Sequence, residues 1–220
     1  MNTDLLVYIR NNIFPKYERY YSHGMIHISN VINNSLELAT EYKLDEDMCY
    51  TMSAYHDLGL EVDRKNHELE SGKIFIADKK LKEYFTKKQL IIMKEAIEDH
   101  RESRKEPPRN IYGKVLSDSD RDFDIKLLAK RQLATSIKNY PGISSFEEHF
   151  EICYNYMSKR INETGHFNLW TNNSMLIKKR NKFEEDFFDK KYAKEIYENE
   201  FRKISSDGTI EKIKNYYLDY

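Results

Sequence analysis

Histidine and aspartate are the residues of this chain whose types and spacing could do chemistry. Five of the seven histidines lie in the first 100 residues, and His56 is followed directly by Asp57. An acidic group follows at Asp118, Asp120, Asp122 and Asp124. Imidazole and carboxylate are ligands of ions such as Mn²⁺, Fe²⁺, Zn²⁺, Ni²⁺ and Mg²⁺. Because the set contains no cysteine, it argues against a structural zinc site and indicates a different kind of divalent metal centre.

The spacing of these residues constrains the elements that carry them. His56 and Asp57 are neighbours, so on a regular helix their side chains point about 100° apart. Both reach one centre only where a helix faces a cleft or close to its end, and we expect this helix to end at Gly59. Twenty-eight residues separate His27 from His56, and Asp120 comes 63 positions after Asp57. The site must therefore be pooled from several helices, as in bundle cores.

The elements that position these residues are predicted to be helical. Apolar residues recur at three- and four-residue spacing from Met25 to Tyr42, and earlier at Leu5, Ile9 and Ile13 until Pro15. Further helices are expected over 66–78, 86–100, 112–133 and from 144 onward. Capping patterns mark helix starts at Asp45, at Thr86 with Gln89, and at Ser144 with Glu147.

The fold class that follows is a compact, all-α bundle of about eight to ten helices. Seven glycines and four prolines leave few hairpin turns, which disfavours an antiparallel β protein. No repeat or low-complexity linker interrupts the chain. We expect a single domain over 1–220, with a motif core over about 20–130 and a helical extension over about 144–220.

Composition excludes several classes of protein. The 36 Lys and Arg residues are balanced by 37 Asp and Glu residues, which argues against a binder of long nucleic acids or other polyanions. Hydrophobic residues at 40% and aromatic residues at 13% argue against disorder. We expect neither a secretory signal nor a membrane span, because no long apolar run is present. Cys49 and Cys153 are too few for a disulfide framework and fit a reduced, cytoplasmic location.

The motifs and their order resemble the HD superfamily of metal-dependent phosphohydrolases, whose signature is H…HD…D. His27, the His56-Asp57 pair and Asp120 reproduce that signature, and their flanks match as well. The matching blocks are His27–Val31, Ala54–Gly59, His67–Gly72, Ala96–Arg101 and Leu116–Arg121. Five blocks in the family's order are far more specific than the His-Asp dipeptide alone.

The resemblance implies roles for the individual residues of the site. It implies one divalent ion, which is Mn, Mg, Ni, Co, Fe or Zn. The implied metal ligands are His27, His56, Asp57 and Asp120. Asp57 would also orient the attacking water. His67 and His100 would either hold a second metal or face the substrate phosphate and move a proton, and Arg101 stands where the binuclear cyclic-dinucleotide branch has a second histidine, which favours a single metal.

Other polar residues near these motifs have two interpretations, a role in the site or an ordinary structural role. Arg101 and Arg104 come first as substrate-binding residues for phosphate, ahead of Arg64, Lys73, Arg109 and Arg121. His23 could share the face of His27 and touch substrate, or else cap or pack. Asp118 would orient a ligand or cap a helix. His149 and His166 lie outside the matching blocks and are expected to be structural.

The expected function is hydrolysis of a phosphate ester or anhydride in a small metabolite, with a nucleotide as the first candidate. The partner is then a small phosphorylated substrate; no membrane partner is expected, and a homo-oligomer stays open. One alternative is a non-catalytic, nucleotide-binding HD-like module that signals through the C-terminal helices. A metal-dependent oxygenase on the same scaffold is a third interpretation.

Overall fold

The computed structural model describes residues 1–21, 23–164, 167–206 and 208–215. Within these ranges the chain is all-α, as the sequence predicts, with eleven α-helices, four 3₁₀ helices and no strand. The α-helices are α1 (Thr3–Asn12), α2 (Met25–Tyr42), α3 (Glu46–Tyr55), α4 (His67–Ala77), α5 (Lys87–Asp99), α6 (Ile111–Ser119), α7 (Ile125–Asn139), α8 (Phe146–Thr164), α9 (Ser174–Phe188), α10 (Lys190–Ser206) and α11 (Thr209–Asn215). The 3₁₀ helices are Phe14–Arg19, Leu58–Glu61, Arg64–Asn66 and Lys79–Glu83.

The chain divides into two compact units. Unit 1 comprises Met1–Glu18, His23–Arg121 and Leu169–Asn173. Unit 2 comprises Arg19–Ser22, Asp122–Asn168 and Ser174–Tyr220. The expectation of one domain over the whole chain stays a prediction.

Unit 1 is built around α2 and α5. Helix α2 packs against α3 and α6, and α5 packs against α3, α4 and α6. The predicted apolar stripes face this core, since Leu5, Ile9, Ile28 and Val31 are fully buried. Each such side chain contributes about 1.5–3 kcal/mol of hydrophobic free energy when buried. Both capping predictions that bear on this unit are confirmed: Asp45 caps α3, and the Thr86 capping box opens α5.

Unit 2 has its own core, in which α7 packs against α8, α10 and α11. Aromatic side chains dominate this core, for example Phe150, Phe187 and Tyr197. His149 is buried here, with its Nδ1 2.8 Å from the Ser136 hydroxyl, and it is structural as expected. His166 lies outside the described residues.

The continuous helix predicted over 112–133 is wrong, because the chain breaks into α6 and α7. Helix α6 ends at Ser119, and Asp120 follows it as the C-cap. Asp124 then caps α7, its carboxylate accepting hydrogen bonds from the backbone N–H groups of Lys126 and Leu127. An aspartate that caps a new helix competes with continuation of the preceding one. The break places Asp120 at a helix end instead of inside a helix.

The start of α8 is shifted by one residue from its prediction. The helix begins at Phe146, and the Ser145 hydroxyl accepts a hydrogen bond from the backbone N–H of Glu148 at 3.4 Å. Ser145 therefore occupies the position at which the sequence placed Ser144, and the expected pairing of Ser144 with Glu147 is not the cap. Two adjacent serines offer the same chemistry, so the sequence alone does not choose between them.

Gly59 does not end helix α3, as the sequence predicted, but has a different structural role. Helix α3 already ends at Tyr55, and Gly59 lies in the 3₁₀ helix Leu58–Glu61. A Cβ at this position would stand 2.2 Å from the carbonyl oxygen of His67 and 2.5 Å from the amide nitrogen of Ser71. The glycine is needed because two backbone segments meet there, and the contact brings the residues after Asp57 against the start of α4.

Two further expectations concern cysteine chemistry and membranes. Cys49 and Cys153 are both buried free thiols, and burial raises the pKa of each to about 12. None of the helices among the described residues has the length and apolar character needed to cross a membrane.

We predict that Gly59→Ala lowers the free energy of unfolding by about 1–3 kcal/mol, because the new methyl group must push two backbone segments apart. Urea denaturation followed by circular dichroism measures the change. Gly142→Ala is the matched control, since a Cβ there meets nothing within 4 Å, and it should stay within about 0.5 kcal/mol of wild type. Equal stabilities of the two variants would contradict the close contact at Gly59.

Candidate metal centre

His27 lies in the first turn of α2 and faces two carboxylates. Its side chain is 1% exposed. Its Nε2 atom is 3.1 Å from Oδ1 of Asp120 and 3.5 Å from Oδ2 of Asp57. The buried stripe of α2 that includes Ile28 and Val31 holds this face of the helix against its neighbours in unit 1.

His56 and Asp57 reach the same centre because helix α3 ends at them. His56 is the C-cap and is fully buried. Asp57 leaves the helical region, with φ −107° and ψ 4°, a conformation common among active-site residues. The two adjacent side chains can then converge, and His56 Nε2 lies 3.3 Å from Asp57 Oδ2 and 3.6 Å from Asp120 Oδ1. The sequence placed the pair near a helix end, and the structure confirms that placement.

The separations between these donor atoms are those of ligands around one cation. Metal–ligand bonds of about 2.1 Å place adjacent ligand atoms about 3.0–3.4 Å apart in octahedral and tetrahedral geometry. The nitrogen–oxygen distances named above run from 3.1 to 3.6 Å. His56 Nε2 is buried and makes no hydrogen bond, which leaves its lone pair available. The four residues His27, His56, Asp57 and Asp120 therefore fit a divalent cation.

Backbone carbonyls orient the imidazoles of three histidines. His56 Nδ1 lies 2.8 Å from the carbonyl oxygen of Ser53, His100 Nδ1 lies 2.6 Å from that of Ile97, and His67 Nδ1 lies 3.2 Å from that of Arg64. A carbonyl oxygen only accepts, so each Nδ1 carries the proton and donates it. In the neutral imidazole each Nε2 then offers its lone pair, which is the tautomer that a metal ligand requires.

The other oxygen of Asp57 faces a second group of donors. Oδ1 is 3.5 Å from His67 Nε2 and 3.7 Å from His100 Nε2, and these two nitrogens are 3.3 Å apart. His67 is the first residue of α4, and His100 is the C-cap of α5. In the neutral imidazoles both of these nitrogens offer lone pairs, so either a proton on one of them or a cation between the three atoms must compensate the charge of Asp57. Asp57 thus lies between two groups of ligands, one on each carboxylate oxygen.

The charges within the cluster shift its pKa values in the metal-free protein. Burial alone would lower the pKa of His56, but the charge of Asp57 and the nearby Asp120 carboxylate outweigh it and raise that pKa to about 10. Burial alone would raise the pKa of Asp57 and of Asp120, but the neighbouring histidines hold both pKa values well below the usual range. The carboxylates are therefore ionised and need a compensating cation or proton.

The substrate-binding candidates lie at different places around this cluster. The ring centroid of His23 is 5.6 Å from that of His27, so His23 lies beside the ligands. Arg101 forms an ion pair with Glu68 at 3.3 Å and donates to the carbonyl of Lys65. Arg104 forms an ion pair with Asp99 at 3.0 Å. Each guanidinium is thus held by the carboxylate of a residue that is adjacent in sequence to His67 or His100.

Asp99 is a residue that the sequence analysis overlooked. Its side chain is 1% exposed, and it precedes His100 directly. Its carboxylate accepts from the backbone N–H and Nε of Arg109 and also pairs with Arg104. Two guanidiniums on one carboxylate leave a local positive charge beside the His100 end of α5. The signal for Asp99 in the sequence was its position directly before His100, which repeats the adjacent histidine and aspartate of His56-Asp57.

We predict that Asp57→Ala lowers the affinity for Mn²⁺ by more than about 100-fold, because it removes the carboxylate that faces both groups of histidines. Isothermal titration measures the affinity, and circular dichroism checks that the helices remain. Asp63→Ala is the control, since Asp63 caps the nearby Arg64–Asn66 helix and stands outside the cluster. Wild-type affinity in Asp57→Ala would refute the assignment of the centre.

A comparison with family models agrees with this geometry. Residues 24–122 match the family model described as HD domain. Among solved structures, the chain is similar to a predicted HD superfamily hydrolase from an uncultured Thermotogales bacterium, with 18% identity, a TM-score of 0.45, and coverage of 74% of this chain and 89% of that one. None of the curated proteins matches the chain. The matched segment, residues 24–122, contains every residue of the cluster and is similar to an HD domain.

Proposed function

We propose that this protein is a metal-dependent phosphohydrolase that acts on a small phosphorylated metabolite, with nucleotides as the first substrate class to test. The match of residues 24–122 to the HD domain supports a metal-dependent hydrolase in general. The observation that carries the proposal is the convergence of His27, His56, Asp57 and Asp120 on one buried centre. A buried carboxylate such as that of Asp57 costs stability unless an opposite charge compensates it, which favours a metal site here.

A divalent cation bound at this centre would neutralise phosphoryl oxygens and lower the pKa of water towards neutrality. The chain's own residues supply orientation and proton transfer. Asp57 would orient the attacking water. Water adds to phosphorus, the bond from phosphorus to the leaving oxygen breaks, and a proton passes to that oxygen. His67 is 15% exposed, so among the histidines of the second group it is the one placed to exchange that proton with solvent.

The basic residues near the cluster would bind the phosphate groups. Arg101 and Arg104 remain our candidates, because their pairing with Glu68 and Asp99 holds both guanidiniums close to His67 and His100. Arg109 joins them through Asp99. A guanidinium held by a carboxylate is pre-ordered for bidentate contact with a phosphate. His23 would touch the substrate from the His27 side.

The experiment that tests the proposal is a hydrolysis screen. Purified protein is supplied separately with Mn²⁺, Mg²⁺, Ni²⁺ and Co²⁺ and is incubated with an aryl phosphate and a nucleotide panel, with phosphate release as the measurement. We expect turnover with at least one ion and none with Asp57→Ala. Nucleotide binding without turnover would favour the non-catalytic module instead. Two bound irons and oxygen consumption would favour the oxygenase.

We also propose that the second group, formed by Asp57 Oδ1, His67 and His100, holds a second divalent ion. What supports this second ion is that its three ligand atoms lie 3.3–3.7 Å from one another, close to the separations of ligands around one ion. This departs from the single metal that Arg101 favoured at the level of sequence. Asp57 is placed to contribute one oxygen to each ion.

The number of bound ions tests the second site. We expect elemental analysis of Mn²⁺-loaded protein to give about two ions per wild-type chain and about one for His100→Gln, which removes an imidazole ligand of the second group. His149→Gln is the control, because His149 belongs to the core of unit 2, and it should keep the wild-type number. A wild-type value of one would show that His67 and His100 serve the substrate instead.

A further inference from the structure

A short segment that follows α8 returns to the HD domain and holds the helix that carries Asp120. We call this segment, Leu169–Asn173, the strap. It belongs to unit 1 and lies outside the residues that match the HD family model. Thr171 is 5% exposed and Asn173 is 3% exposed, so the strap is inserted into unit 1 and does not merely cover its surface.

The strap is bound to α6 through the carboxylate of Asp118, which is fully buried in the last turn of that helix. Its Oδ1 accepts a hydrogen bond from the backbone N–H of Trp170 at 2.8 Å. Its Oδ2 accepts two, from the backbone N–H of Thr171 at 2.7 Å and from the Thr171 hydroxyl at 2.6 Å. Three donors on one buried carboxylate form a rigid joint, since charge-assisted hydrogen bonds are about twice as strong as neutral ones.

This joint is two residues from a proposed metal ligand. The Asp120 amide donates to the Leu116 carbonyl at 3.0 Å, and the carbonyl of Asp118 accepts from the amide of Arg121 at 3.3 Å. The backbone on both sides of Asp120 is therefore tied to the last turn of α6. A movement of Asp118 would be transmitted to Asp120 through this hydrogen-bonded turn.

Helix α2 contacts both the end of α6 and the strap through residues on one of its faces. His27, Asn34 and Glu41 follow one another at seven-residue spacing and so lie on one face of the helix. His27 faces Asp120, Asn34 donates to the Ser119 carbonyl at 3.2 Å, and Glu41 accepts from the side chain of Asn173. The end of α6 is therefore held from α2 on one side and from the strap on the other.

We propose that Asp118 is a positioning residue of the metal centre and that the strap is the part of the chain through which it acts. The inference rests on the proposed function in that it takes the cluster to be a metal site. Asp118 does not bind the ion; it fixes the last turn of α6 so that the Asp120 carboxylate stands at the distance from His27 and His56 that a ligand requires. An HD segment ending at residue 122 would lack this support.

The test compares Mn²⁺ affinities of full-length variants by isothermal titration. Asp118→Asn keeps the size of the side chain but places an NH₂ group against the donors of Thr171, and we expect about 10- to 100-fold weaker binding. Thr171→Val removes only the hydroxyl donor and should weaken binding by a smaller factor. Thr171→Ser keeps that donor and should restore the wild-type affinity. Thr135→Val is the matched control, because it removes a hydroxyl that bonds the Arg131 carbonyl within α7 of unit 2, and it should leave affinity unchanged.

A purely structural joint would give a different pattern. Asp118→Asn and Thr171→Val would then lower the melting temperature of the metal-free protein but bind Mn²⁺ as wild type does, and this result overturns the proposal. If Asp118→Asn does not fold, the comparison of Thr171→Val with Thr171→Ser decides. Wild-type protein that bound Mn²⁺ without hydrolysing any substrate would refute the proposed function alone. Wild-type protein that bound no Mn²⁺ would refute both.

Discussion

The carboxylate of Asp57 is the group on which the rest of the site depends. It is 4% exposed, and its two oxygens face the Nε2 atoms of four histidines at 3.3–3.7 Å. Removing such a charge from water costs several kcal/mol unless an opposite charge compensates it. In the metal-free protein a proton on His56 supplies that charge, as the raised pKa of His56 shows. A divalent cation replaces the proton with twice the charge and satisfies the lone pairs of the imidazoles as well.

The cluster gains further negative potential from the helix ends that build it. His56, His100 and Asp120 are the C-caps of α3, α5 and α6. The C-terminal end of an α-helix carries a partial negative charge from carbonyl groups without an intrahelical partner. Three such ends meet at one centre, where they offset the partial positive charge of the N-terminal ends of α2 and α4 that carry His27 and His67. Placing ligands at helix ends also frees their directions from the regular 100° spacing, which is how His56 and Asp57 can both point inward.

The sequence predicted the parts of this arrangement that follow from helical periodicity and from local chemistry. The bounds of α2, the cap at Asp45 and the all-α class follow from those rules, and the structure confirms them. The break at Asp120 was missed because the apolar pattern on either side of it is continuous, and only the capping side chain of Asp124 separates α6 from α7. The structural role of Gly59 was predicted wrongly because it depends on contact with a backbone segment later in the chain, at His67 and Ser71. No local sequence pattern reveals that contact.

Tertiary pairing explains what the sequence left undecided about the site. Their position just after His100 ranked Arg101 and Arg104 first as phosphate ligands, but the sequence could not show that Glu68 and Asp99 hold them. For His67 and His100, our proposal of metal ligation rests on one geometric observation, that both Nδ1 atoms donate to carbonyls and both Nε2 atoms face Asp57. Imidazoles that only contacted a phosphate would be expected to present an N–H to it. Their Nε2 atoms instead face a carboxylate, an arrangement that a bound cation stabilises in place of a proton.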